Sequence, residues 1–232
     1  MPPFDENKEK KIILSAYSDL LRSCRSNTTV AERKQIRKAF EMAADAHKEM
    51  RRKSGEPYIL HPLAVAKIVS KELGLGTTSI IAALLHDVVE DTDTSLKDLE
   101  MEFGKTVAKI VDGLTKISEF SEQTVSKQAE NFKKMLLTMA DDVRVVLIKI
   151  ADRLHNMRTL GSMAKEKQLK ICSETSYVYA PLSHRLGLFN IKSELEDLSL
   201  KYTQPEIYKD IEMKLADSKK ARDRFIRYVT DP

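Results

Sequence analysis

The sequence predicts an all-α fold, and three observations carry that expectation. Apolar residues recur at i, i+3 and i+4 rather than in strict alternation. Of the seven glycines and seven prolines in 232 residues, Gly55, Pro57, Gly74, Gly104, Pro181 and Pro205 fall where one such run stops or the next begins. The composition, 42% hydrophobic and 32% charged, suits a globular, helix-rich chain and not a disordered or fibrous one.

Taken in order, residues 1–29 read as an N-terminal helix and loop. Thr29 with Glu32 three residues on makes a capping box, and Ile36, Phe40, Ala43, Ala44 and His47 then follow helical spacing, which predicts a helix over about 30–51. RRKSGEPYILHP breaks helix and predicts a loop, with Pro62 in the first turn of the next helix and His61 at the junction. That helix stops at Gly74. Thr78 can cap SIIAALLHDVVE, a run apolar enough to be central, with His86 and Asp87 near its C-terminal end. A short helix ending at Gly104 and an amphipathic one over about 105–117 follow, and SEFSEQTVS at 118–126 reads as a mobile loop. DVRVVLIKIADRLHNM is rich in β-branched residues, as a buried strand would be. Its period decides for helix: Val143, Val146, Leu147, Ile150, Ala151 and Leu154 form one apolar stripe. Asp152, Asn156 and Thr159 then share a polar face. Further helices are expected at about 165–180, ended by Pro181, at 190–202 and at 205–231.

Several function classes are excluded. Cys24 and Cys172 are far apart and lack metal-ligand spacing, so neither a disulfide framework nor a zinc knuckle is indicated and a reducing, cytoplasmic setting is expected. The N-terminal MPPFDENKEKK has no apolar core of a signal peptide, and no apolar run is long enough for a membrane span. A net charge of +4 does not by itself imply nucleic-acid binding.

The chemistry lies in a few residues. A cation that activates water needs several fixed ligands and an open position, and His with carboxylate donors suits Mn²⁺, Fe²⁺, Co²⁺ or Zn²⁺. His61, the adjacent His86 and Asp87, and the distant Asp152 offer such a set. A lone buried His is more often a hydrogen-bonded core residue, but a His and an Asp together at the end of so apolar a helix require a partner. Glu90 and Asp91 lie one turn further on if the helix continues. Crowded carboxylates repel unless a cation offsets them, and this pair is placed for general acid or base work. The acidic run also reads as an ordinary solvated helix end. Arg51, Arg52, Lys53 and Ser54 are candidates for a phosphate or base clamp, since Arg offers a planar fork and can stack on a ring; basic triplets are usually solvated. Lys116 in GLTKI is a weaker candidate.

RKSGEPYILHP at 52–62, LLHDVVEDT at 84–92, VDGLTKI at 111–117, LIKIADRLHNMRTL at 147–160 and HRLGLFNIKSELEDLSLKY at 184–202 together resemble the N-terminal hydrolase region of the long RelA/SpoT homologue family, within the HD superfamily of helical metal-dependent phosphohydrolases. The resemblance covers nearly the whole chain. It implies that His61, His86, Asp87 and Asp152 are metal ligands, usually of Mn²⁺, that Glu90 and Asp91 are the catalytic acidic pair, and that Arg52, Lys53, Ser54, Tyr58, Asn156 and Thr159 hold the guanine nucleotide. The implied reaction removes the 3′-pyrophosphate from ppGpp or pppGpp, giving GDP or GTP plus pyrophosphate, in the stringent response. It further implies an HD-type hydrolase domain over 30–202 and a charged helical linker over 203–232, leading in the parent protein to synthetase and regulatory domains. The chain is accordingly expected to be a fragment without pyrophosphokinase activity. Two other readings remain open: an HD-type nucleotidase or phosphodiesterase on another nucleotide, or a non-catalytic nucleotide sensor. Intact Glu90 and Asp91 speak against the sensor.

Overall fold

The computed structural model describes residues 6–24, 28–121 and 141–230. Among these residues the regular structure is helical, apart from one isolated bridge between Arg51 and Pro57. The all-α expectation holds. Internal contacts divide the chain into two compact units, Met1–Asn156 and Met157–Pro232.

The first unit contains α1 (Glu6–Ser23), α2 (Val30–Ala46), α3 (Leu60–Lys71), α4 (Thr77–Leu84), α5 (Val88–Asp91), α6 (Leu96–Phe103), α7 (Lys105–Ser121) and all but the last two residues of α8 (Val143–Arg158). The Thr29–Glu32 capping box is formed, Thr29 N–H donating to Glu32 Oε2 at 2.8 Å and Glu32 N–H to Thr29 Oγ1 at 3.2 Å. A second box, Ser95 with Asp98, opens α6. Helix α4 packs against α2, α3 and α7, which makes it the centre of this unit. Ile80, Ile81, Leu84 and Leu85 are buried there. Each such side chain contributes roughly 1.5–3 kcal/mol by leaving water. Gly74 (φ +63°) and Gly104 (φ +85°) end α3 and α6 in a left-handed conformation that disfavours a Cβ.

The structure corrects several boundaries. Helix α2 stops at Ala46, because both the backbone N–H and the ring Nδ1 of His47 bond to the Ala43 carbonyl and the chain turns away at Met50. Helix α4 is preceded by Gly76 rather than capped by Thr78, and it does not run on through the acidic residues: it breaks at Leu85–Asp87 and restarts as the single turn α5. Residues 118–121, expected in a loop, belong to α7, while 122–126 lie outside the described residues. Along α8 the apolar face is wider than one stripe. Val145 and Ile148 are buried as well, whereas Val143 is exposed and Leu147 half-buried. Val145 sits so close to Gly113 of α7 that a Cβ there would lie 2.9 Å from its Cγ2. A helix enclosed on more than one side has no single buried stripe.

The second unit contains a 3₁₀ turn (Leu160–Ser162), α9 (Lys165–Glu174), a π-helical turn (Thr175–Tyr179), α10 (Ala180–Arg185), α11 (Phe189–Thr203) and α12 (Pro205–Thr230). Pro181 does not end the helical run. The π turn precedes it and ends with Ala180 N–H bonded to the Thr175 carbonyl five residues back, so the proline enters in the first turn of α10, where its missing N–H costs little. Tyr179, Leu182, Ile191 and Leu195 form the core of this unit. Helix α12 follows Pro205 as expected, to Thr230; Asp231 lies outside the described residues.

Candidate metal centre

The break after α4 has a chemical result. Neighbouring residues on a regular helix point about 100° apart and cannot serve one site. At Leu85 (φ −104°, ψ 4°) the backbone leaves the helix, and the adjacent His86 and Asp87 come together, His86 Nε2 lying 3.2 Å from Asp87 Oδ2. His61, in the first turn of α3, approaches from the other side, its Nε2 3.2 Å from Asp152 Oδ1 on α8 and 3.8 Å from Asp87 Oδ2. Donor atoms of His61, His86 and Asp152 all lie within 4.8 Å of one another, and all three residues are buried. The four residues chosen from the sequence as metal ligands thus converge in space.

The donor set suits a divalent cation. His86 Nδ1 is 2.8 Å from the Ala83 carbonyl, so it carries the proton and donates it; Nε2 is left with its lone pair. That Nε2 is buried and makes no hydrogen bond. His61 Nδ1 lies 2.8 Å from Nδ1 of His155, the outer partner that fixes its ring when Nε2 is a ligand. Burial holds the His61 pKa down. Burial opposes ionisation of Asp87 and Asp152, but His86 and His61 keep Asp87 below the usual carboxylate range, and Lys149 with His61 keeps Asp152 well below it. Neutral imidazoles and ionised carboxylates are the forms that bind metals.

Around these donors, Tyr58 donates its hydroxyl to Asp87 Oδ2 at 2.7 Å. Burial, with the Asp87 carboxylate beside it, pushes the Tyr58 pKa up and keeps the hydroxyl a donor. Lys149 Nζ is 3.1 Å from Asp152 Oδ2. Asn156 donates to Asp152 Oδ1 at 2.6 Å and accepts from Arg52 at 3.0 Å, so the basic loop meets the polar face of α8. Lys53 and Ser54 are exposed on that loop, as is Glu90 on α5. Asp91 Oδ2 is 3.6 Å from His47 Nε2. Thr159 falls just past the end of α8, in the second unit, where its carbonyl accepts from Ser162. Lys116 is exposed and pairs with Asp112. A cavity of about 930 Å³ between α2, the start of α4 and residues Phe103–Val107 contains none of these residues; the donor set, not the volume, locates the chemistry.

Sequence reasoning missed His155, Lys149 and the environment of His47. His155 and Lys149 lie at i+3 and i−3 from Asp152 and were legible from that spacing. His47 was read only as one position of an apolar stripe.

The fold and the donor set define a helical domain with a buried His/Asp centre, and a family model described as HD domain matches residues 39–189. The chain belongs to the HD domain family. It is 48% identical over 204 residues to a probable guanosine-3′,5′-bis(diphosphate) 3′-pyrophosphohydrolase of Synechocystis sp., covering 88% of this chain and 27% of that protein. It is 49% identical over 200 residues to a GTP pyrophosphokinase of Myxococcus xanthus (84% and 26% covered). With the bifunctional (p)ppGpp synthase/hydrolase SpoT of Escherichia coli it shares 45% identity over 197 residues (84% and 28%). The chain therefore spans about a quarter of the length of the curated relatives it matches. A solved structure described as "A metazoan ortholog of SpoT hydrolyzes ppGpp and plays a role in starvation responses" matches with a TM-score of 0.54 and 27% identity, over 73% of this chain and 96% of that one.

Proposed function

We propose that this chain is a guanosine-3′,5′-bis(diphosphate) 3′-pyrophosphohydrolase, releasing pyrophosphate from ppGpp or pppGpp and leaving GDP or GTP. The observation that carries the reading is the meeting of His61, His86, Asp87 and Asp152 beside a basic loop linked to Asn156. The similarity to a metazoan ppGpp hydrolase over nearly its whole length supports the same substrate. In this reading the four donors would hold one Mn²⁺, which when bound would supply Lewis acidity for activating water near neutral pH. Tyr58 keeps the Asp87 carboxylate turned inward and charged. Glu90 and Asp91 share the proton work: between them they orient the attacking water, take up its proton and return one to the 3′ oxygen as the phosphorus–oxygen bond breaks. Arg52, steadied by Asn156, stacks on or bonds the guanine, while Lys53 and Ser54 meet the pyrophosphate charge. The HD-type hydrolase domain extends over 30–202, and in the parent protein, a cytoplasmic enzyme, synthetase and regulatory domains follow it. Among the described residues no helix is long and apolar enough to cross a membrane.

The test is to incubate the Mn²⁺-loaded chain with ppGpp, GTP and cyclic dinucleotides and measure released pyrophosphate and other products. Release of pyrophosphate from ppGpp alone is expected. Turnover of the other nucleotides in its place would make the chain a nucleotidase or phosphodiesterase, and binding of ppGpp without release would make it a sensor.

A further inference from the structure

His47 has no part in the reading above, yet it is placed as though it had one. It follows the last residue of α2 and is 1% exposed. Its Nδ1 lies 2.9 Å from the Ala43 carbonyl and donates to it, which leaves Nε2 as the nitrogen turned towards the rest of the unit. Nε2 is buried, makes no hydrogen bond and faces Asp91 Oδ2 at 3.6 Å. The ring also stacks on Tyr58, centroids 4.8 Å apart and planes 27° from parallel, and the Tyr58 hydroxyl is the one that braces Asp87. A residue needed only to fill space here would be apolar, because an unsatisfied buried nitrogen carries a desolvation cost with no return.

Asp91 needs such a neighbour. It is the last residue of a four-residue helix, its side chain is 31% exposed, and the chain turns extended immediately after it at Thr92 (φ −141°, ψ 174°). One turn of helix does not hold a carboxylate in a single orientation. We propose that His47 is a positioning residue for Asp91: its Nε2 holds the Asp91 carboxylate in the orientation from which it exchanges protons during hydrolysis, and the stack on Tyr58 ties that orientation to the metal donor Asp87. The proposal rests on Asp91 being one of the catalytic acidic pair. The charged groups facing the ring are Asp91 and Asp87, with Tyr58 alongside and the Ala43 carbonyl behind. Burial disfavours the charged ring, but Asp91, Ala43 and Asp87 together outweigh it and raise its pKa.

Two variants of the Mn²⁺-loaded chain and one spectroscopic measurement test this. His47→Phe keeps the ring stack and removes the nitrogens; His47→Gln keeps a nitrogen able to reach Asp91. His47→Phe is expected to retain its metal and KM for ppGpp while kcat falls by about 10-fold or more. His47→Gln should recover part of that loss and change the acidic limb of the pH–rate profile. Wild-type kcat in both variants, or metal loss in both, overturns the proposal; if His47→Phe does not fold, an unchanged pH profile in His47→Gln overturns it. If the wild-type chain releases no pyrophosphate from ppGpp, the proposed function fails on its own, and the His47–Asp91 link is decided by NMR. Asp91→Asn is then expected to lower the midpoint of the His47 ring titration, and an unmoved midpoint overturns the link.

Discussion

Two stretches of the first unit bring donors to the same centre by opposite means. Along α8, Asp152, Asn156, His155 and Lys149 are presented by an unbroken helix, since residues three and four apart lie side by side. Between α4 and α5, His86 and Asp87 are adjacent in sequence and can meet only because the helix breaks at them. A regular helix offers a face, and the irregular turn offers a pair. The broken stretch depends on its neighbours accordingly: Tyr58 braces Asp87 and His47 faces Asp91, while the stretch's own Ala83 carbonyl fixes the tautomer of His86. The continuous helix braces itself, with Lys149 and Asn156 both bonded to Asp152.

Removing one donor from each stretch tests whether they form one centre. Asp87→Ala and Asp152→Ala are each expected to lose bound Mn²⁺ and to reduce pyrophosphate release to background, measured by metal analysis and by the ppGpp assay. Wild-type turnover in either variant would take that stretch out of the site. The next largest effect separates holding a metal from using it. Glu90→Gln should keep the metal and lower turnover by roughly 100-fold, the usual contribution of a general acid or base. Unchanged turnover would remove Glu90 from the mechanism.

A smaller effect sharpens the contrast between braced and self-braced donors. Tyr58→Phe removes the hydroxyl that bonds Asp87 while keeping the ring, and should weaken Mn²⁺ retention by about 10-fold, as loss of an outer partner usually does. A metal titration equal to wild type would show that the broken stretch holds itself. The smallest effect concerns the start of α8, where Asp142 accepts from the Arg144 backbone and guanidinium. The Arg144 hydrogen bonds hold the Asp142 carboxyl below its ordinary range. Its folded pKa is therefore lower than the unfolded value of about 3.9, and the contribution is complete above that value and lost as pH falls through the folded pKa. Because solvent screens the pair, Asp142→Asn should cost less than about 1 kcal/mol at neutral pH. In urea unfolding the difference should vanish in strong acid; a difference that persists there would mean the carboxylate charge is not its source.

The sequence by itself determined the helical class, most helix starts, and which four side chains to look for at one centre. Helix starts are legible because a cap is a local event: Thr29 and Glu32 bond each other three residues apart whatever surrounds them. The donors were legible because His86-Asp87 after an apolar helix needs a partner, and because the motifs around them resemble a known family. Only the tertiary structure decided where α4 ends. Its apolar run reads as helix straight through His86, and the break is stabilised by contacts with the distant Tyr58 and His61. The same holds for the burial of Val145 on α8, packed against Gly113 of α7, and for the passage of Pro181 through a helical run on a π turn. It holds most of all for His47. In sequence it is one more position at helical spacing, and nothing local tells a ring that fills a core from one that faces Asp91. That difference is made by a residue 44 positions away, and only packing brings it within reach.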